Sequence, residues 1–174
     1  MEKPTKELME EYFITKDIFK RNQILKYLLL NLPSDAKEFF FKSFKKERYL
    51  DMKLSAVRGY SAYADEKEVD VLMTKMLDLL KRRPSHTPYD YSEYESMRSV
   101  FLMPYLINEY DYECFHAFNK QLEEQYNAMP DCFKNIYTLN EKGELITIRD
   151  PKEVSASWDA FHAANNKKKQ DATS

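Results

Sequence analysis

Only two glycines, Gly59 and Gly143, occur in the 174 residues of this chain. Tight turns, phosphate-cradling loops and left-handed backbone positions draw on glycine more than on any other residue. So few glycines argue against a sheet-rich or loop-rich architecture. They also exclude a dinucleotide-binding fingerprint and a phosphate-binding loop, both of which need clustered glycines. Helices are what remains. An apolar share of 43% is enough for a core, and a charged share of 32% suits helices with solvated outer faces. A chain this long buries a core without help from disulfides or metals.

Chain-breaking residues and apolar spacing then divide the sequence. Pro4-Thr5 precedes a first helix, and Asp17 opens a second that Asn31-Leu32-Pro33 stops. Ser34 is the expected cap of a helix from Asp35 to about Lys46, which carries Phe39, Phe40, Phe41 and Phe44. Leu50, Leu54, Val57 and Tyr60 mark one helical face, and Val69, Leu72, Met73, Met76, Leu77 and Leu80 mark the next. Lys81-Arg82-Arg83-Pro84 closes that helix. Residues 85–90 read as a loop. Ser92 is the expected cap of a helix to about Tyr110, kinked at Pro104, and a further helix covers Tyr112 to Ala128. Ile136-Tyr137-Thr138-Leu139 and Leu145-Ile146-Thr147-Ile148 have strand character, with Gly143 in the turn between them. Pro151 opens a last helix through Trp158 and Phe161. Residues 1–166 are therefore expected to form one helical domain, and 167–174 a disordered polar tail.

The stretch Leu50 to Ala64, with its Val57-Arg58 pair, followed by the amphipathic run Asp65 to Leu80, resembles the helical repeat called HEAT. Gly59 and Tyr60 depart from the small residues usual in that family. The resemblance implies stacked antiparallel helical hairpins of HEAT or armadillo type, and the fold expected is mainly α with one small C-terminal β-hairpin. It also implies a binding scaffold with a long concave surface, because each hairpin in such a stack buries its faces against its neighbours.

Catalytic or metal chemistry finds little support. Cys114 and His116 stand two residues apart, which on a helix directs them about 200° apart, too far round for one ion. No GxSxG, HExxH or EF-hand pattern occurs. No cofactor and no metal is expected. Two unpatterned cysteines, Cys114 and Cys132, form no disulfide framework and agree with a reducing cytoplasm. The N-terminal residues MEKPTKELMEEYF lack the apolar region of a secretory signal, and no apolar run is long enough for a membrane span. Lys42, Lys45, Lys46 and Arg48 form one basic cluster, and Lys81, Arg82 and Arg83 another. A net charge of −2 counts against nucleic acid as the partner, which leaves a nucleic-acid-binding helical protein, using Lys45, Lys46, Arg82 and Arg83, as the alternative.

Charge is unevenly spread. Residues 84–133 hold two Lys or Arg against nine Asp or Glu, and seven of the chain's 13 tyrosines. Two stretches concentrate both features. One contains Tyr89, Asp90, Tyr91, Glu93, Tyr94 and Glu95; the other contains Glu109, Tyr110, Asp111, Tyr112 and Glu113. Tyrosine brings contact area with a hydrogen-bonding tip, and carboxylates steer a basic partner. These residues are the expected partner-binding face. In size, charge pattern and absence of catalytic motifs the chain resembles the immunity proteins of bacterial toxin systems. That resemblance implies a non-catalytic module that covers a basic, nuclease-type toxin. An adaptor subunit of a larger assembly is the remaining alternative.

Overall fold

Local chain-breakers set most of the helix ends. The computed structural model describes residues 3–83 and 88–173, the side chains of 88–90 excepted. Helix α1 (Thr5–Ile14) follows Pro4. Asp17 caps α2 (Ile18–Leu30), its carboxylate accepting from the backbone N–H of Phe19 at 2.9 Å and of Lys20 at 3.4 Å. Asn31 ends α2 two residues before Pro33. The next helix, α3 (Lys37–Lys46), starts later than expected, behind Ala36, and Ser34 does not cap it. Helix α4 covers Leu50–Ser61. Asp65 and Glu68 form a reciprocal capping box at the start of α5 (Glu66–Arg82), with both bonds at 2.9 Å.

The single kinked helix expected from Ser92 to Tyr110 is instead two: α6 (Pro88–Arg98) and α7 (Met103–Tyr110). Ser92 lies inside α6 and is not its cap. Residues 99–102 turn the chain, and Pro104 falls in the first turn of α7, where its missing N–H costs no intrahelical bond. Helix α8 (Glu113–Ala128) leads through a short 3-10 turn, Asp131–Phe133, to the hairpin of β1 (Tyr137–Leu139) and β2 (Leu145–Thr147). The strands pair antiparallel, Thr138 opposite Ile146. Gly143, at φ +75°, supplies the left-handed residue of the turn. Helix α9 runs from Pro151 to Thr173. The polar tail expected from residue 167 is thus helical through Thr173. Its Ala, Lys and Gln residues favour helix, and neither Pro nor Gly interrupts them.

The fold is mainly helical with one small hairpin, as expected. Its centre is α4, in which Leu50, Met52 and every residue from Leu54 to Ser61 are buried. It packs on α2, α3, α5 and α6, while α5 packs in turn on α8. The helices that carry the HEAT resemblance, α4 and α5, do pair. Their further contacts gather the other helices round α4. Small residues make this possible. Ser55 and Ser61 return their hydroxyls to the carbonyls of Asp51 and Val57, at 3.0 and 2.7 Å, so they enter the core without unpaired polar atoms. Gly59 lets the ring of Phe40 lie directly on the helix backbone: a Cβ there would stand 2.3 Å from two ring carbons. Phe39 and Phe40 are buried, whereas Phe41 is half-buried beneath the Lys45 ammonium, 4.2 Å from its ring centre.

A buried ion pair ties the first two helices to this core. Glu47 at the end of α3 is 2% exposed and accepts from Arg21 Nε at 2.9 Å and Nη2 at 3.3 Å, and from the Tyr12 hydroxyl. Arg21 Nη1 also holds the carbonyls of Thr15 and Lys16, at 3.1 and 3.0 Å, and so fixes the α1–α2 link.

The Gly59–Phe40 contact yields a stability prediction. Gly59→Ala lowers the free energy of unfolding by about 2 kcal/mol, because the added methyl overpacks a filled site. This occurs although alanine gains about 1 kcal/mol in helix propensity. Urea denaturation measures it, and adding Phe40→Leu recovers part of the loss. An equal or higher midpoint for Gly59→Ala alone contradicts the packing account.

Candidate functional site

The two Tyr-rich acidic stretches have opposite fates. In the first, Tyr91 and Tyr94 are 3% and 0% exposed, and Glu93 and Glu95 are 6% and 5% exposed. These four are core residues, a correction to the expected partner-binding face. The physical reason lies in their positions on α6. Tyr91, Tyr94 and Met97 recur every three residues and form its apolar face. Tyr94 donates to Gln125 Oε1 at 2.8 Å, and Tyr91 lies against Phe133 with ring centres 5.3 Å apart. The side chains of Tyr89 and Asp90 lie outside the described residues.

Both buried glutamates do structural work. Glu93 Oε2 accepts from the backbone N–H of Leu50 at 2.7 Å, and its Oε1 meets Arg83 Nη1 at 2.7 Å. Leu50 is the first residue of α4, whose own cap residue, Tyr49, makes no side-chain cap bond. Glu93 therefore caps the central helix from a distant part of the chain, at the end where a negative charge complements the dipole. Glu95 Oε1 accepts from the Tyr126 hydroxyl at 2.7 Å and from Asn135 N–H at 2.9 Å, which holds Asn135 in a left-handed conformation at φ 56°.

The second stretch forms an exposed corner between α7 and α8. Glu109, Asp111 and Glu113 are exposed, and Tyr110 and Tyr112 half-buried. Asp111 ends α7 in the left-handed region, at φ 52°, which aspartate tolerates better than most residues. Its Oδ1 lies 2.5 Å from His116 Nε2. Aromatic rings line the corner: Tyr110 lies tilted against Tyr112 at 5.6 Å between centres, and Tyr112 stacks on Phe115 at 5.5 Å. Burial, then the neighbouring Tyr105 and Glu109, push the Tyr110 phenol up to about 12, so it stays a neutral donor. Sequence order hid two further members. Burial first, then the charge of Asp70 and more weakly that of Glu66, push the Cys114 thiol up to about 11. These exposed acids of α5 thus border the corner, and the thiol beside them is protonated at neutral pH.

The basic clusters are also rearranged. Lys45 of α3 and Arg82 of α5 come together with Lys53 and Lys75 round a cleft of about 360 Å³. Lys46 and Arg83 do not join them: Lys46 reaches the Phe13 carbonyl at 3.4 Å, and Arg83 pairs with Glu93.

Asp51 and Glu93 give the fold a pH signature. Burial first, then the charge of Glu93, push the Asp51 carboxyl up to about 6 from 3.8. The folded chain therefore holds this proton to higher pH than the unfolded chain. The stabilisation is complete below about pH 4 and is lost as pH rises through about 6. Replacing Asp51 by Asn removes that dependence and raises stability at pH 7 by about 2 kcal/mol. Urea denaturation of both proteins across this range checks it; identical slopes contradict it. Glu93→Ala, which leaves Arg83 and the Leu50 N–H without this carboxylate, costs about 3 kcal/mol in the same assay.

Comparison of the chain with known proteins gives no matching family model, no matching curated protein and no matching solved structure.

Proposed function

We propose that this chain is a non-catalytic protein-binding module that docks a basic partner on the α7–α8 corner. The observation that carries the reading is the exposed set Glu109, Asp111 and Glu113 beside the adjoining rings of Tyr110 and Tyr112. Glu66 and Asp70 extend the negative field along α5. Such a surface attracts Lys and Arg at long range and offers aromatic area on contact. The surface is smaller than the sequence implied, since the stretch around Tyr91 to Glu95 lies in the core. The finer proposal is that the partner is a nuclease-type toxin and the chain its immunity protein, with carboxylates standing where nucleic-acid phosphates would bind.

Affinity capture from the native lysate at low and moderate salt tests both levels. The expected result is one basic protein in equal amount, toxic when expressed alone. Glu109→Lys with Glu113→Lys, both at exposed positions, then slows association about tenfold at low salt and less at high salt, with the melting temperature unchanged. An unchanged association rate places the interface elsewhere.

A second reading rests on the cleft of Lys45, Lys53, Lys75 and Arg82, which fits a polyanion such as nucleic acid. Single-stranded and duplex oligonucleotides that bind with a steep salt dependence, lost in Lys75→Glu, favour it over the acidic corner.

A further inference from the structure

Arg58 is the most buried arginine among the described residues, at 9% exposure. Each of the other arginines there that is not exposed pairs with a glutamate: Arg21 with Glu47, Arg83 with Glu93, Arg98 with Glu123 and Arg149 with Glu153. Arg58 has no carboxylate within 4.0 Å among the described residues. It has neutral neighbours instead. Nη1 donates to the Phe101 carbonyl at 2.7 Å, and the guanidinium lies 4.5 Å from the Phe101 ring centre and 3.7 Å from that of Tyr105. Burial depresses its pKa, against the opposing influence of Tyr105, Tyr110 and Glu109. A buried cation ordinarily has an anion to offset desolvation.

Arg58 lines a cleft of about 540 Å³ with Val100, Pro104, Tyr105, Asn108 and Glu141, a size that suits a small molecule. Arg58 lines the cleft together with Tyr105, whose ring centre lies 3.7 Å from the guanidinium carbon. A planar fork in that setting matches a carboxylate. The rim has the opposite sign. Glu141 sits on the hairpin turn, which Asn140 Oδ1 fixes by accepting from Lys142 N–H at 2.9 Å and Glu144 N–H at 3.0 Å. Glu109 is close enough for its charge to act on Arg58. One cation with the Glu141 carboxylate at the rim disfavours a dianionic phosphate and favours a ligand with a carboxylate at one end and an ammonium at the other. Val100, Pro104 and the Tyr105 ring supply apolar wall between them.

We propose that this cleft binds an α-amino acid with an apolar side chain, its carboxylate on Arg58 and its ammonium toward Glu141. The proposal does not rest on the docking reading, although Glu109 of the corner acts on Arg58. No bond is made or broken. The ligand's carboxylate brings a counter-charge to Arg58, so binding stabilises the folded chain.

The test is a titration of the full chain followed by the Arg58 Nε–H resonance, with four probes: L-leucine, isocaproate, which lacks the ammonium, isoamylamine, which lacks the carboxylate, and inorganic phosphate. Leucine is expected to shift the resonance saturably, with a dissociation constant of about 1 mM. Isocaproate is expected to bind about fivefold more weakly, as is leucine to the exposed-site variant Glu141→Gln. Isoamylamine is expected to leave the resonance in place. Arg58→Lys, if folded, loses the leucine response in a thermal-shift assay. The proposal is overturned if leucine gives no saturable shift, if isocaproate or phosphate binds as tightly as leucine, or if Glu141→Gln binds leucine unchanged.

Discussion

The first N–H groups of any helix lack intrahelical partners, and at a surface water takes them. Helix α4 begins at the buried Leu50, behind an exposed tyrosine that makes no side-chain cap bond. Glu93 meets that need from α6, and Arg83, just beyond α5, balances its charge. One carboxylate therefore joins the start of the central helix to two others. Because α2, α3, α5 and α6 all pack on α4, the placement of each depends on where that helix begins. Charge balance is tight there: burial first, and then the field of Glu93, push the Asp51 carboxyl, in the first turn of α4, up to about 6.

Much of this fold was readable residue by residue because its punctuation is local. Asp17, the Asn31 to Pro33 stop, the Asp65–Glu68 box and Pro151 act on their own neighbours, and the helices begin or end beside them. What could not be read depends on partners far along the chain. The break at residues 99–102 follows from the burial of Phe101 and Leu102, not from Pro104. Composition placed Glu93 and Glu95 on the surface, yet each satisfies a backbone N–H about forty residues away, Leu50 for one and Asn135 for the other. Two signals were present. The three-residue spacing of Tyr91, Tyr94 and Met97 marks an inward face, and Tyr49 lacks the side chain of a good cap. The corner at Glu109 to Glu113 was legible because a reversal between helices leaves its charged residues in solvent, but Glu66 and Asp70 join it only through packing of α5 on α8.

Folding also sorts the charges more sharply than the net value of −2 conveys. Helix α5 carries Glu66 and Asp70 near its start, beside the acidic corner, and Lys75 and Arg82 further on, at the basic cleft. One helix thus spans two fields of opposite sign. A charged macromolecule approaching this chain meets a directional potential, and its orientation is selected before contact.

Helix α9 is joined to the rest by a short apolar seam and by Arg149, which bridges Glu153 and Ser157 to the Cys132 carbonyl. Trp158 and Phe161 rest on Phe133, at 6.3 and 4.9 Å between ring centres, and nothing on the helix is fully buried. A helix without tertiary support is marginal in water at such lengths. Its cohesion is therefore graded along the axis: the turns near Phe133 share the cooperative melting of the whole, while those beyond Phe161 unwind and re-form on their own. The distal half behaves as a separate folding unit whose opening free energy is close to zero, so its amide protons exchange and its backbone meets proteases long before α4 is disturbed.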